Sequence, residues 1–229
     1  GDELVEVDEP LAPGKIRNAN SYSNAAQVMQ CGGIPVLLGI ARDQVEELTE
    51  MIRAGLAQGV DLFLTSGGVS VGDFDVVKEV LAAEGEMTFW RVRTKPGKPL
   101  AFGQIEGVPL LGLPGNPVSA MISFELFARP AIFKMLGATD WQRPTVEAVL
   151  VDEVSRKDDR RHYLRVRLEE EAGEWRAHLT GEQGSGILSS MIEANGLAII
   201  PDDWTRAPAG SRVTVMLLER GGSARAPSP

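Results

Sequence analysis

The sequence predicts an α/β domain, a mostly parallel sheet with flanking helices, followed by a small all-β, barrel-like domain. Three observations carry that expectation. Through the first part of the chain, short apolar runs alternate with segments of helical period. From Val146 onward the helical period is lost, and short strand candidates follow one another between charged or Gly-rich turns. Within the first part lies Leu62 to Asp75, LFLTSGGVSVGDFD, which reads as a strand, a glycine loop and the start of a helix. In a parallel α/β sheet such a loop lies at the carboxyl end of a strand, where ligands bind.

Taken in order, Gly1 to Leu4 reads as a strand end and turn, and Glu6 to Gly14, acidic and Pro-rich, as a loop. Asn18 to Gln30 has helix character and ends at Gly32-Gly33. Ile34 to Leu38 is a short apolar strand candidate. Asp43, with Glu46 three residues later, is placed to cap a helix whose Val45, Leu48, Ile52 and Leu56 share one face and which Gly59 stops. Val60 to Leu64 reads as a buried strand, and an apolar helical pattern resumes at Val76, Val77, Val80 and Leu81 after the glycine loop. Met87 to Val92 reads as a strand, Lys95 to Pro99 (KPGKP) as a rigid basic loop, and Leu100 to Ile105 with Val108 to Leu113 as a hairpin around Glu106-Gly107. Leu113 to Pro117 forms a second rigid turn, where Asn116 can cap and Pro117 can open a helix that runs to about Leu136 and kinks near Pro130. The domain boundary falls near Trp141 to Pro144, giving residues 1–142 and 143–218. Strand candidates in the second part are Glu147 to Val151, Tyr163 to Leu168, Trp175 to Leu179, Leu197 to Ile200 and Arg212 to Leu218; residues 219–229 read as a disordered tail.

Composition excludes several classes. The formal net charge is −9, from 23 Lys and Arg against 32 Asp and Glu, which argues against general nucleic-acid binding but leaves room for a local basic pocket. Cys31 is the single cysteine, so no intramolecular disulfide exists and a reducing, cytoplasmic setting is expected. Two histidines, His162 and His178, cannot build a His-rich metal site and read as surface or strand residues. No apolar run approaches the ~18 residues of a membrane helix. The chain opens on GDEL rather than Met, and is expected to be part of a longer protein.

Each chemistry-bearing loop has a plain structural alternative. Gly67 and Gly68 let backbone approach a ligand, and Asp73 or Asp75 can either cap the next helix or hold a hard cation beside an anion. KPGKP places Lys95 and Lys98 on a stiff turn suited to phosphate or an oxyanion such as molybdate; it lacks the glycine spacing of a Walker A loop, and a solvated surface turn is the alternative. LPGNPVSA puts Ser119 and early helical N–H groups at a helix start, where they can bind an anion or simply form a capped turn. The run from Arg156 to Arg161 reads as a solvated turn.

SGGVSVGxxD, KPGKPxxFG and LPGNPVSA, in this order, resemble molybdopterin molybdenumtransferase, the MoeA and gephyrin E-domain family. Gly1 to Leu4, Gln183 to Gly186 and Ala194 to Pro201 extend the resemblance over most of residues 1 to 218. It implies a molybdopterin-binding α/β domain, a C-terminal β domain, and insertion of molybdate into adenylylated molybdopterin with release of AMP, supported by Mg²⁺, in a homodimer. It assigns Gly67, Gly68, Ser70 and Asp75 to the pterin and nucleotide pocket, and Asp75 and Glu3 as catalytic or metal carboxylates. Lys95 and Lys98, as catalytic residues, go with Pro99 and Ser119 to the molybdate and phosphate region, Asn116 is added as a cofactor-binding residue, and Arg160, Arg165 and Ser185 reach the region from the β domain. Asp159 stands where the family favours Gly. Relatives carry two further domains before GDEL. The competing readings are a molybdopterin adenylyltransferase, whose glycine loop usually reads TGGxGxxxxD, and a non-catalytic scaffold or binding fragment.

Overall fold

The computed structural model describes residues 1–68, 85–156 and 158–218. Ser70, Asp73, Asp75, the helix expected from Val76 and the tail lie outside the described residues. The chain divides into two compact units: Gly1–Val92 with Gly97–Thr139, and Arg93–Pro96 with the chain from Asp140 onward.

The first unit is built on a four-stranded sheet. β1 (Leu4–Val5) and β2 (Ile16–Arg17) form a separate short parallel pair. α1 (Asn20–Gln30) and α2 (Val45–Ala57) follow, then β3 (Phe63–Ser66), β4 (Gly85–Arg91), β6 (Pro99–Ile105) and β7 (Val108–Leu113), with β5 (Thr94–Lys95) belonging to the second unit. The sheet order is β3-β7-β6-β4. β3 runs parallel to β7, Phe63 opposite Leu110 and Ser66 opposite Leu113. The other two pairings are antiparallel, so the expected mostly parallel sheet is a mixed one among the described residues. The reason is local. Glu106 and Gly107 both adopt positive φ (49° and 81°), the paired left-handed residues of a tight hairpin, which joins antiparallel neighbours only.

Both faces of this sheet are covered, and β7 shows why its sequence is apolar at consecutive positions. Leu110 packs with Leu48 and Ile52 of α2 and with Phe63 and Ile105. Leu111 and Leu113 face the other way, against Cys31, Ala120, Phe124, Ala128 and Ile132. The last four come from α3 (Pro117–Ser123), a π-helical turn (Phe124–Ala128) and α4 (Arg129–Met135). Where the sequence predicts a kink near Pro130, the helix carries that π-helical turn. Pro130 has no N–H to donate, and the regular ladder is interrupted directly ahead of it.

Two expectations fail here. Ile34 to Leu38 forms no strand, and Ile34 is 90% exposed: an apolar run with no ladder partner has nothing to pair with. Asp43 does not cap α2. Gln44 occupies the cap position without a side-chain bond, Asp43 Oδ2 accepts from the Asp2 N–H at 3.2 Å, and Glu47 rather than Glu46 reaches back, to the Arg42 N–H at 3.3 Å.

The second unit is a closed five-stranded barrel. β8 (Thr145–Leu150), β10 (Arg161–Glu171), β11 (Glu174–Leu179), β12 (Gly196–Ile200) and β14 (Arg212–Leu217) run in the order β11-β8-β14-β12-β10, and β10 pairs with β11 to close the ring. Closure removes the free edges that a small sheet would otherwise expose. Ala148, Leu150, Val166, Ala177, Ala198, Val213 and Val215 fill its centre. All five strand candidates are present. β9 (Val154–Ser155), β13 (Arg206–Ala207) and α5 (Leu188–Glu193) were not anticipated, being too short to show a period. No helix among the described residues is long and apolar enough to cross a membrane.

Gly196 marks a tight point of the barrel wall: a Cβ there would lie 2.6 Å from Val215 Cγ1 and 3.0 Å from Leu168 Cδ1. Gly196→Ala is therefore expected to destabilise the barrel by about 1–3 kcal/mol through overpacking. Urea denaturation checks this; an unchanged midpoint would contradict the packing described.

Candidate functional site

Because β3 and β7 are parallel and in register, their carboxyl ends emerge side by side. The chain then turns twice, at Ser66-Gly67-Gly68 and at Pro114-Gly115-Asn116. Gly67 and Gly68 take φ of 90° and 66°, a region that side-chain-bearing residues rarely adopt. The turns nearly touch: a Cβ on Gly115 would lie 3.6 Å from Gly67 Cα. The Gly67 N–H donates to Leu113 O at 3.0 Å, so it holds the turn instead of facing an anion as expected. Asn20, the first residue of α1, staples the two turns: its Nδ2 donates to Ser66 Oγ at 2.6 Å and to Gly115 O at 2.7 Å. Ser66 Oγ in turn donates to Pro114 O at 3.3 Å. Asn20 Oδ1 and Thr65 Oγ1 are buried without a partner among the described residues. Buried polar atoms are usually satisfied, so these two mark where a polar ligand has something to gain.

The other expected site residues of this unit are placed as follows. Asn116 is the cap residue of α3 by position, with no side-chain cap bond; its carbonyl accepts from Ala120 N at 2.9 Å. Ser119 is buried within α3, 4% exposed, so it lies behind the turn instead of on its surface. Lys98 is exposed and Pro99 half-buried, at the start of β6; the Lys98 carbonyl accepts from the Val92 N–H at 2.9 Å. Glu3 is exposed, its carboxylate 3.8 Å from the chain's amino terminus.

In the second unit β5 adds to the barrel alongside β10, which sets Lys95 opposite His162. Asp158 is the hub of the charges gathered there. Its Oδ2 accepts from Lys95 Nζ at 3.1 Å and from Arg160 Nη2 at 3.0 Å. Its Oδ1 accepts from Arg160 Nε at 3.2 Å and lies 2.9 Å from His162 Nε2. These donors, Arg160 first, hold the Asp158 carboxyl far below the usual carboxylate range. His162 is 5% exposed, and burial pushes its pKa down, with Asp158 opposing. Arg156, Asp158 and Arg160 are thus cross-linked instead of solvated, Asp159 and Arg161 stay exposed as expected of the turn, and His162 lies in strand β10, as expected, with its side chain buried. Arg156 itself is buried and donates to the carbonyls of Trp204 and Arg160. One signal in the sequence pointed this way: His162 shares the period-2 face of Leu164, Val166 and Leu168.

Arg165 is fully buried, and its guanidinium is committed to its own unit. It donates to Ser190 Oγ (3.0 Å), Gln183 O (3.1 Å), Glu182 O (3.2 Å) and Gly184 O (3.0 Å), and burial brings its pKa down to about 10. It therefore shapes the loop that carries half-buried Ser185. A cavity of about 270 Å³ opens beside this region, lined by Lys95, Pro96, Ser155, His162, Arg165 and Gln183 among others.

Residues 1–134 match the family described as the probable molybdopterin binding domain, and residues 147–218 match the MoeA C-terminal region (domain IV). The chain belongs to the MoeA family. It is 38% identical over 224 residues to a molybdopterin molybdenumtransferase of Nostoc sp., covering 95% of this chain and 51% of that protein. It is 34% identical over 220 residues to the molybdopterin molybdenumtransferase of Haemophilus influenzae, covering 94% and 54%. The crystal structure of the molybdopterin biosynthesis MoeA protein from Pyrococcus horikosii superposes with a TM-score of 0.81 at 30% identity, covering 96% of this chain and 52% of that one. The chain spans about half the length of the relatives it matches.

The cluster predicts a pH dependence. His162 titrates below its ordinary 6.5, facing Asp158, Lys95 and Arg156. The unfolded chain takes up that proton at higher pH than the folded one, so stability is full above about 6.5 and falls as the pH drops below it. Asp158, lowered from its ordinary 3.8, loses its own contribution only on further acidification. Melting temperature measured from about pH 7 to about pH 5 should fall less steeply for His162→Gln than for the unaltered chain. Equal slopes would contradict this.

Proposed function

We propose that this chain forms the molybdopterin-binding half of a molybdopterin molybdenumtransferase, which inserts molybdate into adenylylated molybdopterin and releases AMP. The observation that carries the reading is the pair of glycine turns held side by side at the ends of parallel β3 and β7, in a chain of the molybdopterin-binding family. The turns, with the unsatisfied oxygens of Asn20 and Thr65, offer a close backbone approach and polar partners to the pterin and nucleotide. Lys98, on the same unit, supplies positive charge for the oxyanion and the phosphoanhydride. Cleaving a phosphoanhydride depends more on positioning and charge stabilisation than on a covalent nucleophile, so no Ser, Cys or His nucleophile is needed. The relatives named above are molybdenumtransferases, and this favours transfer over adenylyl-group formation.

The family resemblance adds a homodimer, a cytoplasmic setting and Mg²⁺. When bound, Mg²⁺ would neutralise charge on the phosphates. The described residues do not gather a cation site at the turns: Glu3 stays beside the amino terminus, and the group of metal-ligating type, Glu169, Glu171 and His178, is on the barrel, its carboxylates paired with Arg167 and Arg176. Asp75 is the remaining carboxylate assigned to the glycine loop, and it decides the question.

Asp75→Asn in the full-length protein that carries this chain separates a metal-binding role from a helix cap. Asn caps about as well as Asp, within a few tenths of a kcal/mol, so the melting temperature should hold in either case. AMP release from adenylylated molybdopterin should fall by about 10²-fold if Asp75 holds the cation. Unchanged release at saturating Mg²⁺ would leave Asp75 as a cap and remove it from the site.

A further inference from the structure

We infer that Asp158 is a positioning residue, holding the Lys95 ammonium at a fixed place on the wall of the barrel cavity so that an oxyanion entering there meets a preset cation. The inference rests on the reading that Lys95 serves an oxyanion, and adds the residue that makes it competent.

Three features support it. The first is geometry. Lys95 sits on the barrel only through the two-residue strand β5, and its side chain is 47% exposed. A lysine so placed has four rotatable side-chain bonds, and ordering it on ligand binding costs entropy unless something has ordered it already. The Asp158 carboxylate, at 3.1 Å, is that restraint. The second is anchorage. Asp158 is itself fixed by two bonds from the Arg160 guanidinium and by His162, which is 5% exposed and lines the same cavity as Lys95. The carboxylate is thus tied to the barrel core on one side and to the half-exposed lysine on the other.

The third is charge. A carboxylate beside an anion site would repel the anion, but three cations, Lys95, Arg156 and Arg160, share this cluster with the single Asp158 carboxylate. Asp159 is turned to Arg93, at 3.1 Å, and Glu153, on the cavity wall, is held by Arg206 at 2.7 Å. The positive charge therefore outlasts the pairing, and one anion can share Lys95 with Asp158. The cavity of about 270 Å³ has room for a tetrahedral oxyanion.

The test is calorimetric titration of the 229-residue chain with sodium molybdate, with melting temperatures taken on the same samples. Lys95→Ala should weaken binding about tenfold, and Asp158→Ala should do nearly the same. The double variant should be no weaker than either alone, because both act through one ammonium group. Asp158→Asn keeps an acceptor oxygen for Lys95 and should recover part of the loss. If Lys95→Ala weakens binding but Asp158→Ala does not, or tightens it, Asp158 is no positioning residue while the oxyanion role of Lys95 stands. Additive losses would likewise overturn the inference. An unaltered chain that takes no molybdate, or a Lys95→Ala variant of full affinity, would overturn both. Failure of Asp158→Ala to fold leaves Asp158→Asn to decide: affinity as low as that of Lys95→Ala, at an unchanged melting temperature, would also overturn it.

Discussion

The parallel pairing of β3 with β7 is the constraint on which the first unit depends. Two strands that run the same way must release their chains at the same end, and only there can two turns from distant parts of the sequence meet. The apolar alternation of β7, Leu110 to one face and Leu111 with Leu113 to the other, fixes the register by burying both faces. Slipping that register by one residue would exchange the two faces and separate Ser66 from Pro114. The Asn20 amide then locks the result by bonding to both turns at once. The candidate ligand site is thus a consequence of core packing, not an addition to it.

The barrel solves a different problem. Four of its five strands have only five or six residues, and closure rather than size satisfies their backbone groups. Its centre holds residues as small as Ala148, Ala177 and Ala198, and polar side chains are buried in the same unit. The Arg165 guanidinium makes four hydrogen bonds, three to carbonyls and one to a hydroxyl, and none to a carboxylate, which fixes a loop without cancelling the charge. Asp158 does the reverse, binding several cations through one carboxylate. Two buried or half-buried charges of opposite sign thereby organise the Gln183 loop and the Lys95 strand.

Much of this was legible from sequence where a period or a turn residue spoke for itself. The Glu106-Gly107 hairpin, the glycine stop at Gly59 and the five barrel strands all follow from short-range rules. The overall family was legible from three ordered motifs. What escaped was anything decided by tertiary partners. Ile34 to Leu38 has a strand's composition but forms no ladder among the described residues. Asp43 has a cap's identity but finds the Asp2 N–H instead. Arg165 has the identity of a ligand-binding arginine, but nothing in the sequence shows its burial or its carbonyl partners. Asp158 reads as part of a solvated turn because a charge run looks the same in sequence whether its members face water or one another. Asn20, the residue that joins the two turns, carries no motif at all; its partners lie 46 and 95 positions away.

The central claim is that the joined turns at the ends of β3 and β7 are where molybdopterin binds. Backbone amide NMR of the isotope-labelled chain during titration with adenylylated molybdopterin tests it directly. The account predicts that the largest shifts fall on Ser66, Gly67, Gly68, Gly115 and the Asn20 side-chain amide. Shifts confined to other surfaces, with those five resonances unmoved at saturation, would contradict it.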